Sequence, residues 1–463
     1  MPSSPGRPAG GGRMKNPEEL LRLGDEAVEA ARRAGADEAE VAVTFAKGAS
    51  VDFENNDIAV AISDEELAYG VRVFKNGRLG FATANDAAHL SQTVADALAL
   101  ASTSLPDPNN GLPSPRPVDF VEGLDDEKVG ELTVGSLTRH AGELLETVRR
   151  LDSRPSIDSG SVGAIVVSRA VVSTVGVRVA ERTSRVTTSL FGMAVEDGRP
   201  GSFVVQATGS RSADHFHRDI ESCAEGFVAK ALGALNPGKG RSYRGVVLFS
   251  PQAVHSLLVS NFVTMISSPF IRKGRSPLGE KLGSIVASPL LTLTDRPDER
   301  GAYGASSFDR EGQPRRVFTI LDKGRFAAIP YNHYEARAAG QPEGSTGHAQ
   351  GGAESLPGVG FSRLDLSPGA GGFDDALDAA GEIIEVTRFS GSTNAVTGEF
   401  SGVVKAGFLR KGTERRPVTE VLIAGNLLDA YQSVLAVSED RERLFGLHTM
   451  PALLVDGVSV TAG

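Results

Sequence analysis

Short apolar runs of period two, cut by glycine and proline, constrain this chain more than any other feature. Val41, Val43 and Phe45 alternate with smaller or polar residues, Val51 and Phe53 begin a second run, and Val71–Phe74 form a third. Period-two alternation is the mark of a strand with one buried face. The third run reaches Lys75-Asn76-Gly77 and a fourth begins at Arg78. Asn-Gly is a strong hairpin signal, because both central positions of a type I′ turn need positive φ. With 54 glycines and 24 prolines in 463 residues, turns should be frequent and the chain strand-rich. Helical spacing brackets these strands. Residues 17–34 carry Pro17 in the first turn, arginines at the end and Gly35 as a stop, the usual ordering of helix signals. Residues 86–103 give a second helix with Asp86 as its N-cap.

The same reading divides the rest of the chain. Residues 104–119 (SLPDPNNGLPSPRPVD) have no apolar period and read as a linker. A helix is expected over 126–150 and strands over 162–208, with a hairpin turn at Asp197-Gly198. Helical spacing returns at 219–235 and stops at Asn236-Pro237-Gly238. Beyond residue 242 lies the largest unit, opening with a strand at Val246–Phe249 and a helix over 251–264. Near its end PVTEVLIA (Pro417–Ala424) alternates as one strand. Leu427, Leu428, Tyr431, Val434 and Leu435 then follow helical spacing. The expected class is α+β with largely antiparallel sheets, since no βαβ alternation is present. The units are a disordered tail (1–16), an N-terminal domain (17–105), a central domain (120–238) and a strand-rich C-terminal domain (242–463).

Composition excludes several functions. The formal net charge is −10, which disfavours general binding to a phosphate backbone. A single cysteine excludes a disulfide framework, a Cys-rich zinc ribbon and a Cys-ligated iron–sulfur cluster within this chain. No stretch approaches the roughly 18 apolar residues of a membrane span. The start, MPSSPGRPAGGGRMKNPEEL, has no apolar export segment, so the cytoplasm is expected, and Met14 is a second candidate start beside Met1.

Few residues suggest catalysis by themselves. Gly233–Gly240 (GALNPGKG) approaches a P-loop, but Gly240 stands where Ser or Thr must hold magnesium, and a helix rather than a strand precedes it. A helix C-cap explains it better. No GxSxG elbow occurs. Cys223 falls on the apolar face of its helix, where burial raises a thiol pKa and suppresses reactivity. None of the eight histidines is followed directly by Glu, and none has another His three to five residues on. A zinc hydrolase helix needs that spacing to aim two imidazoles at one ion. The closest alternative is a three-ligand set of His215, His217 and Cys223, against which stands a plain polar loop entering a helix.

Several segments together resemble the TldD/PmbA family, and within it the PmbA (TldE) branch. GVRVFKNGRLGFAT (Gly70–Thr83) is similar to its N-terminal hairpin. FDREGQPRRVFTILDKG (Phe308–Gly324) and GSTGH (Gly344–His348) resemble consecutive segments of its C-terminal domain. STNAVTGEFSG (Ser392–Gly402) and PVTEVLIAGNLLD (Pro417–Asp429) resemble two further signatures. All fall in family order. The chain departs from the branch at Gly402–Gly407 and at Arg410-Lys411. The resemblance implies a cytoplasmic metalloprotease complex that degrades or trims unfolded peptides. Its zinc is held on the TldD subunit by an HExxxH motif and a later Cys. This chain has no HExxxH and no Cys in its C-terminal half, which implies the TldE side, with no cofactor of its own and zinc on a TldD-like partner. Thr397, Gly398, Glu399, Gly425 and Asn426 are the candidates for substrate or partner contact, with tight turns that hold the fold as the plainer role. The alternative function is a non-catalytic peptide-binding or regulatory homodimer.

Overall fold

The computed structural model describes residues 16–463. Met14 and all of the expected tail except Asn16 lie outside the described residues. Asn16 and Glu19 form a capping box that starts helix α1 (Pro17–Arg33), satisfying orphan N–H groups at both positions. The sheet follows as β1 (Glu38–Glu54), β2 (Asp57–Lys75) and β3 (Arg78–Ala84). Asn76 and Gly77 take φ of 51° and 71° at the β2–β3 turn, as the Asn-Gly signal requires. Helix α2 (Leu90–Thr103) packs on this hairpin, preceded by a turn that Asp86 caps. Residues 126–150 are not one helix. Thr133 and Ser136 make a capping box that separates α3 (Glu127–Gly130) from α4 (Val134–Leu151).

β4 (Pro155–Ser173) and β5 (Arg178–Glu196) complete a broad sheet with the short β6 (Arg199–Pro200) and β7 (Val204–Ser210), before helix α5 (Phe216–Gly233). The order is β3-β2-β1-β4-β5, with β6 and β7 both on β5. β1 pairs antiparallel with β4 from Glu40↔Ser173 to Glu54↔Ser159. Strands from both sides of the 104–119 segment therefore share one sheet, and that segment runs outside it as a connection. The odd positions Val41, Val43, Phe45, Val51 and Phe53 bury under the helices. The even positions, among them Glu40 and Ala42, face the C-terminal unit together with Ala68 and Val171, and meet Phe308 and Arg310 of that unit.

The C-terminal unit is a twelve-stranded mixed sheet. Its strand His448–Ala462 pairs antiparallel with Tyr243–Phe249, Val421–Asn426 and Val434–Leu444. The helical stretch 251–265 packs over it, with a π-turn at Val254–Val259. Two expectations fail here. Pro417–Ala424 is not one strand, because Glu420 takes φ of 56° and divides Glu414–Thr419 from Val421–Asn426. Helical spacing over 427–435 also misleads, because the helix stops at Gln432 and Val434 begins a strand. Among the described residues, no helix is long and apolar enough to cross a membrane.

Candidate functional site

The two candidate contact segments meet at one corner. Strands Glu382–Thr393 and Glu399–Lys411 form a hairpin. Its connection folds because Asn394 Oδ1 accepts the N–H groups of Val396 (2.9 Å) and Thr397 (3.3 Å). Gly398 has φ of +83°, and a Cβ there would lie 2.6 Å from Asn426 Oδ1, so glycine is required twice over. Asn426 N-caps the helix Leu427–Gln432 by accepting the Leu428 N–H (2.9 Å), and its amide donates to the Thr397 carbonyl (2.9 Å). The Leu427 N–H donates to the Gly398 carbonyl at 2.7 Å. Thr397 Oγ1 lies 3.2 Å from Glu399 Oε2. Beside this corner lies a cleft of about 570 Å³ edged by Arg244, Glu399, Gly425, Asn426, Asp429 and Asp456. Its polar rim can bind, but it presents no nucleophile paired with a base. The turn residues spend most of their hydrogen bonds on one another.

The set His215, His217 and Cys223 does not converge. His217 is exposed, 3.7 Å from Glu221 and 3.8 Å from Glu143. Six residues along α5, at roughly 100° each, carry Cys223 to another face of the helix. There it is buried, with Sγ 3.7–3.9 Å from the carbonyls of Gln206 and Thr188, and burial pushes the thiol up to about 12. The histidines that do meet were not singled out by spacing. His255 in the π-turn and His448 in the last strand stack with ring centroids 4.4 Å apart. His448 Nδ1 accepts the Leu364 N–H at 3.1 Å. Burial pushes His448 down to about 4, with His255 and Arg363 adding to it, and burial also lowers His255. Sequence separation hid this pair. Among the described residues, no group of three or more His, Cys, Asp or Glu could hold a metal ion. Among the described residues, His215, His217 and Cys223 are not gathered into the tetrahedral set that a zinc site needs.

Behind these surfaces, Phe308–Gln313 plugs the sheet. Asp309 accepts the N–H groups of Glu311, Gln313 and Ala349 at 2.8–2.9 Å, which folds the segment back on itself. Arg310 then reaches Glu40 at 2.9 Å, while Arg72 bridges Glu40 (2.8 Å) and Glu311 (3.1 Å). Burial opposes ionisation of Glu40, but Arg72 and Arg310 outweigh it and hold its carboxyl low. Glu311 is pushed up to about 7 by burial, Arg72 opposing and Asp309 and Glu40 reinforcing the rise. His348 of the Gly344–His348 loop is buried between Phe318 and Phe361 and is pushed down to about 3 by burial and Arg315. Two of the segments quoted from the sequence are thus parts of a structural seam.

Comparison with known proteins agrees with this architecture. Residues 242–462 match the PmbA/TldA metallopeptidase C-terminal domain, and residues 39–101 match PmbA/TldA metallopeptidase domain 1. The Metalloprotease PmbA homolog of Haemophilus influenzae is 28% identical over 448 residues, spanning 94% of this chain and 95% of that protein. Metalloprotease PmbA of Escherichia coli O157:H7 is 24% identical over 88% of each chain. The crystal structure of TldE from Thermococcus kodakarensis superposes with a TM-score of 0.84 at 21% identity, covering 96% of this chain and 99% of that one.

Proposed function

Because this chain belongs to the PmbA/TldD metallopeptidase family, we propose that it is the metal-free, TldE-like subunit of a cytoplasmic two-component metalloprotease. Zinc, polarised water and general base belong to an HExxxH partner. This subunit completes the enclosure around an unfolded peptide and supplies binding surface. The observation that supports the reading is the placement of the candidate ligands among the described residues: His217 and Cys223 lie on different faces of α5, and His255 and His448 stack on each other. Peptide handling is supported by the outer edge of β2. Its pairing with β3 begins at Tyr69, so the stretch from Asp57 leaves backbone donors and acceptors free. An extended chain can add there as a strand.

Co-expression with an HExxxH homologue, followed by size-exclusion chromatography with light scattering, tests the assembly. A stable hetero-complex that cleaves unfolded peptide is expected. A chain that ignores the homologue, self-associates and binds peptide without cleavage would sink the reading and leave the regulatory homodimer. His217→Ala should leave cleavage by the complex unchanged.

A further inference from the structure

A second cleft, also of about 570 Å³, lies where the helix-free face of the sheet meets the C-terminal unit. Arg169, Arg185, Arg211, Arg310 and Arg315 all line it, against Glu181 as the lining carboxylate. Those side chains divide into two classes. Arg169 is paired with Glu181, which also accepts the Ser307 N–H, and Arg310 is paired with Glu40. Arg185, Arg211 and Arg315 have no carboxylate within ion-pair distance among the described residues. Arg185 is exposed and lies over the Tyr303 ring at 5.4 Å. Arg211 is buried and donates only to the carbonyls of Ser184, Ala302 and Ala305. Arg315 donates once, to the Ala349 carbonyl at 3.3 Å, and its Nε and Nη1 are buried without partners. The nearby Asp295 and Asp309 act on Arg315 through space but spend their oxygens on backbone N–H groups.

Two further polar groups at the rim have capacity to spare. Ser362 Oγ is buried without a partner, and His448, whose Nδ1 is an acceptor, carries its proton on Nε2. Burial first, then Arg185, pushes Arg211 down to about 10, with Glu181 and Tyr303 opposing and Arg169 adding to the fall. A cleft whose spare capacity is guanidinium, hydroxyl and imidazole N–H matches a planar anion with several acceptor oxygens. Its volume is that of a small-ligand site, and the acidic chain as a whole does not suit a nucleic-acid backbone.

We propose that this cleft binds a carboxylate group of a peptide, with Arg185 and Arg315 as its direct partners. The proposal rests on the peptide-handling reading and adds a polarity to it: one carboxylate, from the C-terminus or from an acidic side chain, is anchored between the two units.

Fluorescence anisotropy on the full chain tests this with labelled hexapeptides of one sequence: a free C-terminal acid, a C-terminal amide, and the amide carrying one Asp. The free acid should bind at least about tenfold more tightly than the amide, the size of one charge-assisted pair. Arg185→Ala should abolish that preference without shifting the melting temperature, and Arg315→Gln should weaken it. Recovery of binding by the Asp-containing amide would support the site and identify a side-chain carboxylate as a source. Equal binding of all three peptides would overturn this proposal alone. So would a preference that survives both substitutions, or displacement of the acid peptide by inorganic phosphate more readily than by acetate. Failure of every peptide to bind would overturn both this proposal and the peptide-handling reading.

Discussion

The seam between the sheet and the C-terminal unit has two ends that use the same residue type differently. At one end Arg72 is locked between Glu40 and Glu311, and Arg310, which also borders the cleft, is paired with Glu40, all almost wholly buried. At the other, Arg185, Arg211 and Arg315 crowd a cleft without carboxylates of their own. Buried charge is tolerated when it is paired, so the first end reads as structure. Charge left unpaired at a cleft asks for a ligand. Spatial partners, rather than residue identity, separate the arginines that hold the fold from those available for binding.

That contrast is broken most forcefully at Arg72. Arg72→Met leaves Glu311 buried without its cation and Glu40 with Arg310 alone. It should cost about 3–5 kcal/mol, read as a large drop in urea midpoint. If its stability matched that of Arg185→Ala, the two ends would not differ. Acid is the next largest effect. His333, His348 and His448 have native pKa values of about 4, 3 and 4, below the unfolded value near 6.5. The unfolded chain therefore binds more protons as pH falls from 6.5 towards 4, and stability is lost through that window. Glu311, raised to about 7 from 4.5, works in the opposite sense and loses stability as pH rises from 4.5 to 7. His255 is lowered as well, while burial raises Asp295 and Asp309 in the sense of Glu311, so the histidine contribution is isolated by substitution: His448→Gln should lose less melting temperature between pH 7.5 and pH 5 than the parent chain does. Gly398→Ala, at φ of +83° and against Asn426, should cost about 1–2 kcal/mol by thermal unfolding. Arg185→Ala should change stability by less than about 0.5 kcal/mol, sharpening the comparison because its only loss is ligand discrimination.

Local signals are legible in the sequence and distant ones are not. Asn76-Gly77, Asp86 and the odd-numbered valines of β1 mark their own conformations, since φ preference and period two are properties of a few neighbouring residues. The split at Glu420 is not legible, because nothing in Val-Thr-Glu-Val demands the positive φ that Glu420 takes. The shared sheet was hidden for a related reason, as β1 and β4 are joined across a proline-rich connection. At the site, the Thr397–Glu399 and Gly425–Asn426 turns could be picked out as segments, but their mutual contact could not. His215 and His217 attracted attention through proximity in sequence, whereas His255 and His448 meet only when the π-turn packs on the final strand. The arginine cleft left no motif at all, since its members come from β4, β5, the end of β7 and the loop after the Asp309 turn.

The decisive measurement is zinc content beside peptide cleavage, on the purified chain and on its complex with an HExxxH homologue. Neither stoichiometric zinc nor cleavage is expected from the chain alone, and both are expected from the complex. Stoichiometric zinc with peptide cleavage from the chain alone would contradict the metal-free reading.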